Sequence, residues 1–163
     1  MNEIPTEKLL PQGLQDMLSA HRKYTSQAND INNEIIDREM KTLHLPLKAK
    51  WYEMIESGVK TEEYREIKPY WIQRLTRYGD DELLNGRLYA DFLASSPDVL
   101  KYNIEMEMMS YTKYDAVKFS YGYTKRTMTF EIESITIGKG KPEWGAPTEE
   151  VFIIKLGKRI KQN

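Results

Sequence analysis

From Leu10 to Ile35 the less polar positions fall at alternating steps of four and three: Leu10, Leu14, Met17, His21, Tyr24, Ala28, Ile31 and Ile35. That spacing keeps one face of a helix apolar and predicts a helical extension over residues 1–41. Pro11 suits its first turn, where a missing N–H has no partner to lose. The stripe is read either as a helix packed on its own domain or as a helix paired with another subunit. Gly13, His21 and Ala28 weaken a long coiled coil.

After Thr42 the period changes. Leu43, Leu45 and Leu47 alternate along one face of a strand, and Pro46 puts that strand at an edge or near its end. Trp51, Tyr52, Met54 and Ile55 then suit an amphipathic helix that Gly58 stops. Pro69 opens another helix with Tyr70, Trp71, Ile72 and Leu75. Asp80 is expected to cap a helix whose stripe is Leu84, Leu88 and Phe92. Ser96-Pro97-Asp98 starts a further one, with Leu100, Ile104, Met108 and Tyr111 at helical spacing.

Strand patterns dominate from Asp115 onward. Ala116, Val117 and Phe119 lead to a turn at Tyr121-Gly122-Tyr123. Met128, Phe130 and Ile132 alternate with Thr129, Glu131 and Glu133, and Ile135 and Ile137 break that phase, which predicts a bulge near Ser134. Gly138 to Pro147 reads as a structured loop, Val151 to Leu156 as a last strand ending at Gly157, and KLGKRIK as a basic tail. The pattern predicts an α+β fold: a small, mixed, mostly antiparallel β-barrel flanked by helices. The domain is expected over 42–163, with an inserted helical pair at about 79–113.

Composition narrows the chemistry. The 163 residues carry a net charge of −1, so any attraction for nucleic acid must come from a local patch. There is no Cys, which excludes thiolate metal sites and Cys nucleophiles. His21 and His44 have no Asp/Glu neighbours at ligand spacing, so no metal or cofactor is expected; His44 suits a structural hydrogen bond. No apolar run approaches the roughly 18 residues of a membrane span, and MNEIPTEKLL lacks the basic start and apolar stretch of a secretory signal. A cytoplasmic setting is expected.

The segment GVKTEEYR, Gly58 to Arg65, is unusually charged for a strand. Alternation assigns Lys60, Glu62 and Tyr64 to one face and Thr61, Glu63 and Arg65 to the other. Charges turned inward must pair with each other or with a ligand. Glu63 and Arg65, two apart, can orient one another and read a nucleobase or a phosphate. The plainer reading is an edge strand blunted by charge.

Gly58-x-Lys60-x-x-Glu63-x-Arg65 resembles the G-x-K-x-x-E-x-R motif of the ASCH domains, small β-barrels of the PUA-like superfamily associated with RNA and nucleotide chemistry. LHLPLKAKWYEMIESGVKTEEYREIKPYW resembles the opening strand, helix and motif strand of that family, and ESITIGKGKPEWGAPTEEVFIIKLG a C-terminal signature of a bacterial and phage subset. The resemblance implies a PUA-like barrel with Lys60, Glu63 and Arg65 lining a cleft beside the neighbouring helix. Lys60 then serves as a cation for phosphate, or as a base where burial favours its neutral amine, and Thr61 positions a ligand. Some family members deacylate acetylated cytidine with a Lys, a Thr and a Glu. In those the Thr lies three residues after the Lys, where this chain has Glu63; Thr61 is the nearest Thr, and Glu131, Glu133 and Glu143 are candidates for the further acid. Other members are ribonucleases.

Tyr70, Trp71, Tyr121, Tyr123 and Trp144 can offer stacking faces, Trp144 foremost because a Gly/Pro-shaped loop carries it. The plainer role for Trp71 and Trp144 is anchoring core or loop. Lys113, Lys118, Lys125, Arg126, Lys139 and Lys141 form a diffuse basic set that reads as solvated surface or a backbone-tracking patch. The reading favoured is a module that binds RNA or a modified nucleotide. Its ligand-binding groups are Arg65, Tyr64, Trp71 and Trp144, and its candidate catalytic groups are Lys60, Glu63 and Thr61. The alternatives are a hydrolase of acylated nucleosides or a ribonuclease in the same cleft, and an interaction protein that self-associates through the N-terminal helix or the 79–113 insertion.

Overall fold

The computed structural model describes residues 11–36 and 40–160. The chain divides into two compact units, Met1–Glu39 and Met40–Asn163. In the first, α1 (Gln12–Ile36) is one unbroken helix of 25 residues. Leu10, at the head of the expected stripe, lies outside the described residues. Leu14, Met17 and Tyr24 are 42%, 69% and 73% exposed.

The second unit is built on a curled, mostly antiparallel half-barrel of five strands. Its strands are β1 (Thr42–Leu47), β2 (Glu62–Glu66), β5 (Ala116–Tyr121), β6 (Thr127–Gly138) and β7 (Val151–Ile160), in the order β1-β5-β6-β7-β2. β1 runs parallel to β5; the other pairs are antiparallel. Leu43, Leu45 and Leu47 are buried, and Pro46 sits on an edge strand where its missing N–H breaks no ladder. Between β1 and β2, α2 (Ala49–Glu56) buries Tyr52 and Ile55 and stops before Gly58, whose φ of +80° is the left-handed conformation that ends many helices.

After β2, α3 (Pro69–Leu75) starts on Pro69 and leads into a two-stranded ribbon of β3 (Thr76–Arg77) and β4 (Ser110–Tyr111). Between those short strands lie α4 (Arg87–Ser95) and α5 (Pro97–Glu105). α4 starts at Arg87 with Gly86 as its N-cap, not at Asp80, because Asp81 to Asn85 forms a turn in which Asn85 bonds back to Tyr78 and Asp81. Its buried face is Ala90 and Leu93, set against α3; Leu88 and Phe92, expected inward, are 86% and 49% exposed. α5 ends before Met108 and Tyr111, because Glu107 takes a φ of +57° that breaks the helical course.

The register of β6 on β7 shifts twice, between Phe130 and Ile132 and between Ile132 and Ser134, so the irregularity begins earlier than Ser134. β7 does not stop at Gly157. It continues to Ile160, because Thr129 and Phe130 of β6 pair with Ile160 and Arg159, which turns part of the expected basic tail into sheet. Among the described residues no helix is long and apolar enough to cross a membrane.

Candidate functional site

β2 begins at Glu62, so Lys60 and Thr61 belong to the connection from α2 and escape strand alternation. That corrects the expected faces. Lys60 shares its surroundings with Glu63 rather than standing opposite it. β2 is an edge strand whose Glu66 faces solvent, yet Glu63 within it and Lys60 just before it are only 5% and 2% exposed.

Glu63 is the hinge of the cluster. Lys60 Nζ lies 2.7 Å from Glu63 Oε2. The contact is ionic rather than an aligned hydrogen bond, so Oε2 stays without a hydrogen-bond donor among the described residues. Arg65 Nη1 donates to Glu63 Oε1, and to the carbonyl of Tyr64 at 2.6 Å. Two buried or half-buried cations thus share one carboxylate. Lys60 also donates to the Trp144 carbonyl at 2.8 Å and lies over the rings of Trp51 and Tyr64, 4.8 and 5.3 Å from their centroids. A carboxylate, a carbonyl and two π faces are the partners of an ammonium, and together they replace the water that burial removes.

Two glycines let the loop after β6 reach this cluster. A Cβ on Gly145 would stand 2.6 Å from Cζ2 of Trp51, and one on Gly140 would stand 2.7 Å from Cε1 of Tyr64. The backbone beside Trp144 can therefore lie on the Trp51 ring and hold its carbonyl on Lys60.

Tyr64 points to the other side of β2, into a smaller core with Ala146, Val151, Trp144 and Ile153. Its hydroxyl donates to Glu62 Oε2 at 2.8 Å and accepts from the Lys141 N–H at 3.1 Å. Burial, reinforced by the Glu62 carboxylate, pushes the phenol up to about 12 from 10.0. The folded state therefore prefers the neutral phenol. The stability this lends is complete below pH 10 and is lost as pH rises from 10 through about 12. Absorbance titration of phenolate should show a tyrosine with a midpoint near 12 that Tyr64→Phe removes; an unchanged titration curve in that variant would refute the assignment.

The solvent-facing end of the cluster is Arg65, whose side chain is 14% exposed. Its guanidinium lies 5.1 Å from the Trp71 ring, and its Nε and Nη2 make no hydrogen bond to the described residues. Arg74 lies 5.7 Å from the same ring and 5.4 Å from that of Tyr70, which meets Trp71 edge-on at 4.8 Å. Arg65 of β2 and Arg74 of α3 thus set two guanidinium groups around one indole, with Tyr70 52% exposed beside them.

The structure brings together Lys60, Glu63 and Arg65 with Trp71 at one end and Tyr64 and the Trp144 carbonyl at the other. Thr61 is exposed and enters the sheet only through its carbonyl, which accepts from the Leu156 N–H at 3.0 Å. The Trp144 ring is half-buried, with the exposed Lys141 ammonium 3.9 Å from its centroid. Sequence reasoning missed Arg74 and Trp51. The spacing of Arg74 from Tyr70 and Trp71, at i+4 and i+3 on a helix, was the available signal; nothing local marks Trp51 as the ring beneath Lys60.

A hollow of about 510 Å³ lies next along the chain, between the end of β2, Pro97 and Val151. Glu66, Glu149 and Glu150 line it, Glu66 paired with Lys68 and Glu150 with Lys101 at 3.0 Å. Neither this hollow nor one of about 500 Å³ at Tyr111–Asp115 includes Lys60, Glu63 or Arg65 in its lining. Among the described residues no three His, Asp or Glu side chains converge on a possible metal position. No protein-family model, curated protein or solved structure matches the chain.

Proposed function

We propose that residues 42–163 form a PUA-like module of the ASCH type that binds a nucleotide or a single-stranded RNA segment at the Lys60–Glu63–Arg65 cluster. The observation that carries this reading is the unfinished bonding of Arg65. Glu63 and the Tyr64 carbonyl take one of its nitrogens, Trp71 supports its plane, and Nε and Nη2 are left as an outward fork. Such a fork suits a phosphate or the acceptor edge of a base. Arg74 adds a second positive group around the same indole, and Tyr70 supplies an open face for stacking. Lys60 anchors Glu63 from behind and acts as a positioning residue. With its ammonium fully engaged and Thr61 exposed, the cluster is better suited to binding than to deacylation.

The test is a binding screen with nucleoside monophosphates, acetylated cytidine and short RNA oligomers on wild type and Arg65→Lys. The lysine keeps the charge and loses the planar fork. Binding should weaken by at least about tenfold, the equivalent of about 1.4 kcal/mol, with the melting temperature little changed. Equal affinity in both proteins would remove Arg65 from the site. Turnover of acetylated cytidine that disappears in Lys60→Ala would instead establish the hydrolase.

A further inference from the structure

α1 stands apart from every other described helix in length. At about 1.5 Å per residue its 25 residues span about 37 Å. α2 to α5, of 8, 7, 9 and 9 residues, span only about 11–14 Å each. The heptad spacing of its stripe matches the seam between two helices that wind together over their whole length. Its apolar members Leu14, Met17 and Tyr24 are 42%, 69% and 73% exposed, and Leu18 beside them is 37% exposed. A helix this long with its apolar face in water draws most of its stability from a partner. Among the described residues of one chain, no other helix is long enough to follow that seam. The length-matched partner is the same helix of a second copy.

The residues at the seam also choose the direction. In a parallel pair His21 would meet His21, stacking like polar groups. An antiparallel pair with its twofold axis between positions 22 and 23 sets position 17 against 28 and position 21 against 24. His21 then meets Tyr24, which joins two rings that each carry a polar atom. Over residues 13–27 the flanking seam positions Gly13, Ala20 and Gln27 on one side, and Leu18 and Thr25 on the other, are uncharged; the next in the first row is Glu34. Opposed helix dipoles favour the same direction. We infer that the chain dimerises through α1 as an antiparallel two-helix coiled coil, with His21, awkward in a parallel seam, acting as its register mark.

Sedimentation equilibrium on the full chain should give a dimer that dissociates in Met17→Glu/Tyr24→Glu, with the unfolding transition of the second unit kept. The chain has no Cys, so an introduced thiol reports its own neighbourhood. In His21→Cys the two thiols are offset along the axis by only about 5 Å, and a short bis-maleimide should link them; in Leu14→Cys the offset is about 25 Å and no link should form. A chain that is monomeric at every concentration, or a dimer indifferent to the double glutamate variant, overturns the inference. Efficient linking through Leu14→Cys overturns the antiparallel direction.

Discussion

Glu63→Ala should lower the unfolding free energy by about 3–5 kcal/mol, read as a lower urea midpoint. The reason lies in what remains. Lys60, 2% exposed, would keep an ammonium in a place that water does not reach, and the carbonyl of Trp144 with two ring faces does not neutralise it. Breaking a buried pair leaves a buried charge, which is why the loss far exceeds the net worth of the pair. A second variant separates charge from packing. Lys60→Met with Glu63→Leu removes both charges and refills the space with apolar atoms, so most of the stability should return. Arg65 tolerates this because its side chain already touches solvent. The double variant should nevertheless weaken the nucleotide binding proposed for this cluster, since the fork of Arg65 is oriented by the carboxylate it no longer has. A Glu63→Ala protein that unfolds at the wild-type midpoint would show that Lys60 is not held by this carboxylate.

Gly145→Ala should rank next. Gly145 has a φ of +89°, a left-handed conformation that costs an L-residue about 1–2 kcal/mol. The new methyl would also stand 2.6 Å from the Trp51 ring, an overpacking that typically costs about 1–3 kcal/mol. Trp51 is a stiff ring held under Lys60, so the loop is expected to move instead, drawing the Trp144 carbonyl away from the ammonium. The effects of Gly145→Ala and Glu63→Ala should therefore be non-additive in a double-mutant cycle, because both act on the surroundings of Lys60. Gly13→Ala is the contrast: its Cβ meets nothing within 4 Å, and the helix should be stabilised slightly. Strict additivity between Gly145→Ala and Glu63→Ala would sever the loop from the cluster.

The two effects share a cause that bears on function. A charged cluster is held rigid from behind by a loop whose glycines let backbone lie on aromatic rings. Arg65 and the α3 side chains around Trp71 meet solvent at the other end. Preorganisation of this kind suits a site that must present a fixed fork to its ligand.

Local pattern was enough for much of this chain. The alternation of Leu43, Leu45 and Leu47, the stop at Gly58, the starts at Pro69 and Pro97 and the pairing of Glu63 with Arg65 all follow from period and backbone chemistry within a few residues. Tertiary structure decided the rest. Ala90 and Leu93 are buried in place of Leu88 and Phe92 because α4 meets α3 on that side. β7 outruns Gly157 because β6 supplies partners for it, and Lys60 joins Glu63 because its strand starts two residues later than alternation assumes. A sequence fixes which residues share a face of their own element; which face is covered, and what a distant loop lays against it, depends on neighbours far along the chain.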